Sequence, residues 1–323
     1  MEELEKKIKL YSTIGPRATF GMHCLNMVKD NSNLMVLTAD VSTSAGLDRY
    51  RKTFPDNYVE VGIAEQNMIG IATGLSNEGY DVITTTFAPF QTLRCCEQIK
   101  VNLGYMKKKV IMVGLASGLV LGTLGYTHCC IEDVGVLRSI PEITIISPAD
   151  SFELCKTLEA AINYDKSVYI RLTGGTNNPI VNKKDYEFKI GKSIKIKNGD
   201  DLTIFATGSS VYHAIEAANF LESQNISCNV INMHTIKPID KEAIKDAQKN
   251  SRLIVSVEEH NVIGGLGSAI SEVMVEQSLA APLLKIGVDD YYSKGGTYNF
   301  LLDLHGLNSK KIVEAIFQKL KHE

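Results

Sequence analysis

Three consecutive polar residues interrupt a run rich in apolar residues and glycine. In VEVGIAEQNMIGIATG, residues 59–74, Glu65, Gln66 and Asn67 stand among valine, isoleucine, alanine, methionine and glycine. A carboxylate buried without a partner is costly, so a glutamate in such a setting has either a partner or a chemical task. The plain alternative is a first-turn glutamate meeting the positive end of a helix macrodipole. Other residues are equally open when taken singly. Phe87 and Phe90 in TTTFAPF fit ordinary core aromatics, His128 after a glycine loop fits a structural histidine, and Arg171 at the end of an apolar run fits a surface charge.

The elements that must position these residues follow from short apolar runs alternating with helical patterns. Strands are predicted at 34–39, 81–87, 109–114, 143–147 and 167–172, with helices near 16–29, 63–77, 89–103 and 150–163. Asp150 and Glu153 make a capping box for the last helix. TGGTNNPIVNKKDYEF (173–188) reads as a linker. A second series follows, with strands at 201–208, 227–232, 252–259 and 282–288 and helices over 209–222 and 264–274. Alternation of this kind argues for βα units and mainly parallel sheets, so the fold class is α/β. The expected domains are 1–175 and 191–323, joined by a linker at 176–190. GGLGSA (264–269) and TGSS (207–210) read as close-packed turns rather than phosphate sites.

Bulk properties narrow the function classes. The 323 residues suffice for two domains, and 44% hydrophobic with 22% charged residues at net charge −3 is ordinary for a soluble protein. That balance supplies no electrostatic reason to bind nucleic acid or an anionic membrane. Residues 110–131 carry no acidic or basic side chain except His128, but four glycines, Thr127 and two cysteines suit a strand and glycine-rich loop better than a spanning helix. The charged N-terminus does not read as a secretory signal. Seven cysteines without CxxC or metal-ligand spacing fit reduced thiols and a cytoplasmic location.

Taken together, EVGIAEQNMIGIATGL, TTTFAPF, the threonine–histidine pair at 127–128, RSIPEITIISPAD and IRL closely resemble, in order and spacing, the pyrimidine-binding half of the transketolase family. The similarity runs on through SVEEHNVIGGLGSA into that family's C-terminal domain and covers nearly the whole chain. The resemblance implies thiamine diphosphate chemistry. Glu65 matches the family's glutamate that hydrogen-bonds the aminopyrimidine and promotes the imino tautomer that takes the thiazolium proton. A water-poor setting among Ile63, Ala64, Met68 and Ile69 suits such proton sharing. Phe87 and Phe90 match the aromatic side of the pyrimidine pocket, with Phe90 as the stacking residue; stacking contributes about 0.5–1.5 kcal/mol beyond area burial. Asp40 matches an acid bordering the cofactor. His128 matches a histidine that contacts the ketose near the reacting carbons, so Glu65 and His128 are the catalytic candidates. Ser44 and Arg171 match positions that hold the substrate phosphate, a role suited to an arginine fork beside a hydroxyl.

Two departures from the family pattern shape the reading. The family anchors diphosphate and Mg²⁺ through a GDG motif and a distant asparagine in a separate N-terminal domain, and no GDG occurs here. The chain therefore resembles the small half of a split transketolase, with metal ligands from a large partner subunit in an expected heterotetramer. The family also commonly carries an acid in DGxTH, where this sequence reads LGYTH. Leu124 would leave a substrate hydroxyl unpaired at a cost of about 1–3 kcal/mol, which points to an unusual or deoxy sugar or sugar phosphate. Competing readings are the β subunit of a pyruvate- or 2-oxoacid-using thiamine enzyme, a deoxyxylulose-phosphate-synthase-like enzyme, and a scaffold subunit without turnover.

Overall fold

The computed structural model describes residues 2–184, 186–276 and 281–321. The outer limits of the two expected domains, residues 1 and 323, and Asp185 in the expected linker lie outside them. Six strands form in the first half: β1 (Leu34–Thr38), β2 (Tyr58–Glu60), β3 (Asp81–Phe87), β4 (Ile111–Leu115), β5 (Ile143–Ile146) and β6 (Ser167–Arg171). Six follow: β7 (Ile194–Lys197), β8 (Leu202–Ala206), β9 (Cys228–Asn232), β10 (Thr235–Lys237), β11 (Leu253–Asn261) and β12 (Leu283–Val288).

The first sheet has the order β10-β5-β6-β4-β3-β1-β2 and is parallel except at β10, which runs antiparallel to β5. The second has the order β12-β11-β8-β9-β7 and is parallel except at β7. Near-continuous apolar strands suit this arrangement because helices cover both faces. Along β1, Leu34 and Val36 join Phe20, Leu154 and Leu158 on one face, while Met35 and Leu37 join Met68, Ile69 and Leu103 on the other. The second sheet is covered likewise, by one cluster containing Val211, Leu221 and Ile316 and another containing Ile244, Leu266 and Ile270.

Three local features depart from expectation. The first helix extends over Glu2–Asp30 but is kinked at Gly15 (φ 74), and Pro16 begins its second segment, where a missing N–H is tolerated. The predicted helix 89–103 is broken into Ala88–Gln91, Cys96–Gln98 and a π-helical stretch Ile99–Tyr105. β10 belongs by sequence to the second half yet completes the first sheet. Residues 111–115 of the glycine-rich run are strand, and no helix among the described residues is long and apolar enough to cross a membrane.

Candidate active site

In the first sheet the connection after β1 leads toward β2, while that after β3 leads toward β4. Between those neighbours a crevice opens at the strand carboxyl ends, the place where open α/β sheets bind ligands. Asp40 and Ser44 follow β1, Phe87 and Phe90 end and follow β3, and His128 lies in the long connection after β4. Glu65 begins the helix Glu65–Asn77 that follows β2.

Glu65 is buried, with 3% of its surface exposed. Its Oε1 accepts a 2.6 Å bond from a terminal guanidinium nitrogen of Arg94, whose side chain is 41% exposed. The same guanidinium lies over the Phe90 ring, 4.1 Å from the centroid. His128 meets Phe90 edge to face at 5.4 Å and Phe87 at 6.0 Å. Glu65, Arg94, Phe90, His128 and Phe87 are thus one contiguous chain of contacts. Gln66 also has a partner, donating to the Arg94 carbonyl at 3.1 Å and tying the helix to the segment after β3. Cys95 Sγ donates to the Phe90 carbonyl at 3.1 Å, and burial pushes its thiol pKa up to about 12, so it remains a protonated donor.

Asp40 reaches this group through the backbone. It adopts φ 55, and its amide donates to Glu60 Oε1 at 2.8 Å, while the Gly62 amide donates to the same oxygen at 3.0 Å. Thr38 and Tyr58 donate to Glu60 Oε2. Burial works to raise the Glu60 pKa, but these four donors outweigh it and hold the carboxyl below its usual value. One carboxylate therefore fixes both the turn carrying Asp40 and the turn leading into Glu65.

Ser44 lines a cleft of about 230 Å³ with Arg17, Thr43 and Gly174–Thr176. Arg17 lies in the first turn after the Gly15 kink, where helix amides favour anions. A larger cleft of about 530 Å³ runs between helices 2–30 and 151–162, past Lys7 and Glu159, away from the chemistry. Leu124 ends a short 3-10 turn and is 55% exposed.

Arg171 is the correction. It is 1% exposed, and its Nε pairs with buried Asp133 at 2.8 and 3.0 Å. One terminal nitrogen donates to the carbonyls of Cys130 and Glu259. A guanidinium so enclosed joins the two halves of the chain and does not offer itself to a phosphate. Partly exposed Arg94 and half-buried Arg17, by contrast, lie beside the candidate residues, and neither was singled out by sequence reasoning. Spacing offered a signal for Arg94, four residues after Phe90, but none for Arg17.

With this geometry in place, comparison with known proteins settles the family. Residues 12–177 match the transketolase pyrimidine binding domain, and residues 191–312 match the transketolase C-terminal domain. The chain belongs to the transketolase family. It is 36% identical over 310 residues to a putative transketolase C-terminal section from Methanocaldococcus jannaschii, covering 96% of this chain and 97% of that one. It is 37% identical over 291 residues to one of the subunits of an apulose-4-phosphate transketolase from Actinobacillus succinogenes, covering 90% and 93%. A solved split-gene transketolase, an inactive β4 tetramer, superposes with a TM-score of 0.86 at 34% identity over 95% of this chain and 98% of that chain. The chain is thus a subunit of the split transketolase type, built of the two α/β domains this family places after one another.

Proposed function

We propose that this chain is the small subunit of a split thiamine-diphosphate-dependent transketolase that moves a two-carbon ketol unit from a ketose to an aldose acceptor. The observation that carries the reading is the contiguous group of buried Glu65, Arg94 and the Phe90 ring beside His128. These residues fit an aminopyrimidine in place of the Arg94 side chain, which here occupies both partners: a buried carboxylate for a ring nitrogen, and an aromatic face for the ring. Glu65, Phe87, Phe90 and Asp40 would hold that end of the cofactor. When bound, the cofactor's thiazolium carbon supplies the nucleophile for ketol cleavage.

The protein's own tasks are then distinct. Glu65 shares a proton with the pyrimidine, and His128 hydrogen-bonds the donor sugar near its carbonyl. Its Nδ1 is engaged with Thr127 Oγ1 at 3.0 Å, which orients the ring. Ser44 and Arg17 hold an anionic end of the sugar, in keeping with the phosphate in the name of the Actinobacillus relative's substrate. Ligands for Mg²⁺ and the diphosphate come from a large subunit carrying the GDG motif, in a cytoplasmic heterotetramer. The inactivity of the related β4 tetramer supports the need for a second polypeptide.

The test is reconstitution. The chain mixed with a GDG-containing large subunit and thiamine diphosphate is assayed with xylulose 5-phosphate, apulose 4-phosphate and pyruvate as donors. Ketol transfer that needs both chains supports the proposal; turnover of pyruvate alone, or full activity of the large subunit by itself, would overturn it.

A further inference from the structure

The loop that presents His128 is held from the other domain. Residues 118–130 close on themselves through two backbone hydrogen bonds, from the Gly118 amide to the Cys130 carbonyl at 2.8 Å and from the Cys130 amide to the Gly118 carbonyl at 2.9 Å. Beyond that closure the loop rests on C-terminal elements. Leu119 N donates to Glu259 Oε1 at 2.6 Å, and Gly296 N donates to the Gly122 carbonyl at 3.0 Å. Tyr126 OH lies 2.9 Å from Ser293 Oγ and 3.1 Å from His305 Nε2.

Glu259 is the centre of this seat. It is 1% exposed, and Oε2 accepts from Tyr298 OH at 2.6 Å and Ser209 Oγ at 3.0 Å. Gly118 adopts φ 68, and a Cβ there would overlap the Glu259 carboxylate. A carboxylate fixed by two hydroxyls thus receives the loop at its first turn, where any other side chain would push it away.

We propose that Glu259 is a positioning residue for the reaction: through the Leu119 amide it sets where the 119–128 loop places His128. The C-terminal domain thereby acts on the site without touching the substrate. This rests on the reading of His128 as a substrate-contacting residue. Displacing a contact group by about 1 Å can cost on the order of a hundredfold in rate.

The test combines hydrogen exchange on the full chain with kinetics of the reconstituted complex, using xylulose 5-phosphate and ribose 5-phosphate. Glu259→Ala should speed amide exchange over 118–130 while leaving β1, β3 and β4 protected. Its kcat should fall by about a hundredfold, and Glu259→Gln, which keeps an acceptor for Leu119, should recover most of it. The double variant Glu259→Ala with His128→Ala should be no slower than His128→Ala alone. If Glu259→Ala fails to fold, Tyr298→Phe removes one of its two hydroxyl donors and should produce the same local exchange on a smaller scale. Unchanged exchange in the loop, exchange raised equally throughout the chain, or losses that multiply in the double variant would each overturn the proposal. Full activity of His128→Ala would instead sink the reading of His128, while the exchange data would still decide whether Glu259 holds the loop.

Discussion

Arg94 and Glu65 form an ion pair across the candidate site, 2.6 Å between nitrogen and oxygen, with one partner buried and the other partly exposed. Removing Arg94 leaves the Glu65 carboxylate without its cationic neighbour. Arg94→Ala should therefore destabilise the chain by about 1–2 kcal/mol, less than a fully buried pair because solvent screens the arginine. Most of that loss should vanish in the Glu65→Gln background. Urea unfolding of the four proteins in the cycle measures the coupling, and additive losses would contradict the pairing.

Arg171 and Arg17 should behave oppositely. Arg171→Met leaves buried Asp133 uncompensated and should cost about 3–5 kcal/mol of stability, with KM for a sugar phosphate unchanged in the folded fraction. Arg17→Ala should leave stability nearly unchanged and raise that KM roughly tenfold to a hundredfold, as loss of a charged hydrogen bond of about 1.5–3 kcal/mol implies. Thermal melts alongside initial rates separate the two, and a raised KM in Arg171→Met with amide exchange over 118–130 unchanged would restore it as a ligand.

Leu124 stands where related enzymes commonly carry an acid. Leu124→Asp should improve kcat/KM for xylulose 5-phosphate relative to a donor lacking the corresponding hydroxyl, by about tenfold for one recovered hydrogen bond. Unchanged selectivity across the two donors would remove Leu124 from the account of specificity.

His260 supplies a pH signature. Its ring is buried, Nδ1 faces the Asn261 carbonyl, and Nε2 accepts from the Gly135 amide, so both ring nitrogens are engaged with the ring neutral. Burial pushes its pKa down to about 4. Between the unfolded value of about 6.5 and about 4 the unfolded chain takes up a proton that the folded chain refuses. Its contribution is therefore complete above pH 6.5 and lost as pH falls toward 4, at no more than about 1.4 kcal/mol per pH unit. The stability difference between the wild type and His260→Gln should shrink across that window. A difference that is flat with pH would contradict the buried neutral ring.

Much of the scaffold was legible because its strands are apolar on both faces and its helices follow them at regular intervals. Leu34–Thr38, Asp81–Phe87 and Ser167–Arg171 lie within a residue of expectation. Asp150 caps its helix through the Phe152 and Glu153 amides, although Glu153 turns to the Ala149 amide rather than to that of Asp150. GGLGSA proved to be close packing, since a Cβ at Gly265 would strike Glu258 and one at Gly267 would strike Ser256 and Lys285. β2, β7 and β10 were missed because three or four residues carry no readable period.

The candidate site was less legible where a residue's role depends on a distant partner. Arg171 ends a strand whether it serves a ligand or an ion pair, and its partner Asp133 lies 38 positions away. Arg94 sat inside a segment read as ordinary helix, so its approach to both Glu65 and Phe90 emerged only with the break after Gln91. Glu60 lay outside every predicted element, and its hold on the two turns at Asp40 and Gly62 required their left-handed backbone.

In the proposed reading, Glu65 acts on a cofactor shared with a second polypeptide. The most direct test of that role is titration calorimetry of thiamine diphosphate with Mg²⁺ into the large subunit alone, into this chain, and into the mixture, the last two each with wild-type Glu65 and with Glu65→Ala. Saturable binding is expected in the wild-type mixture, none by this chain alone, and weaker binding with loss of ketol transfer in the Glu65→Ala mixture. Equal binding and undiminished turnover with Glu65→Ala would contradict that role.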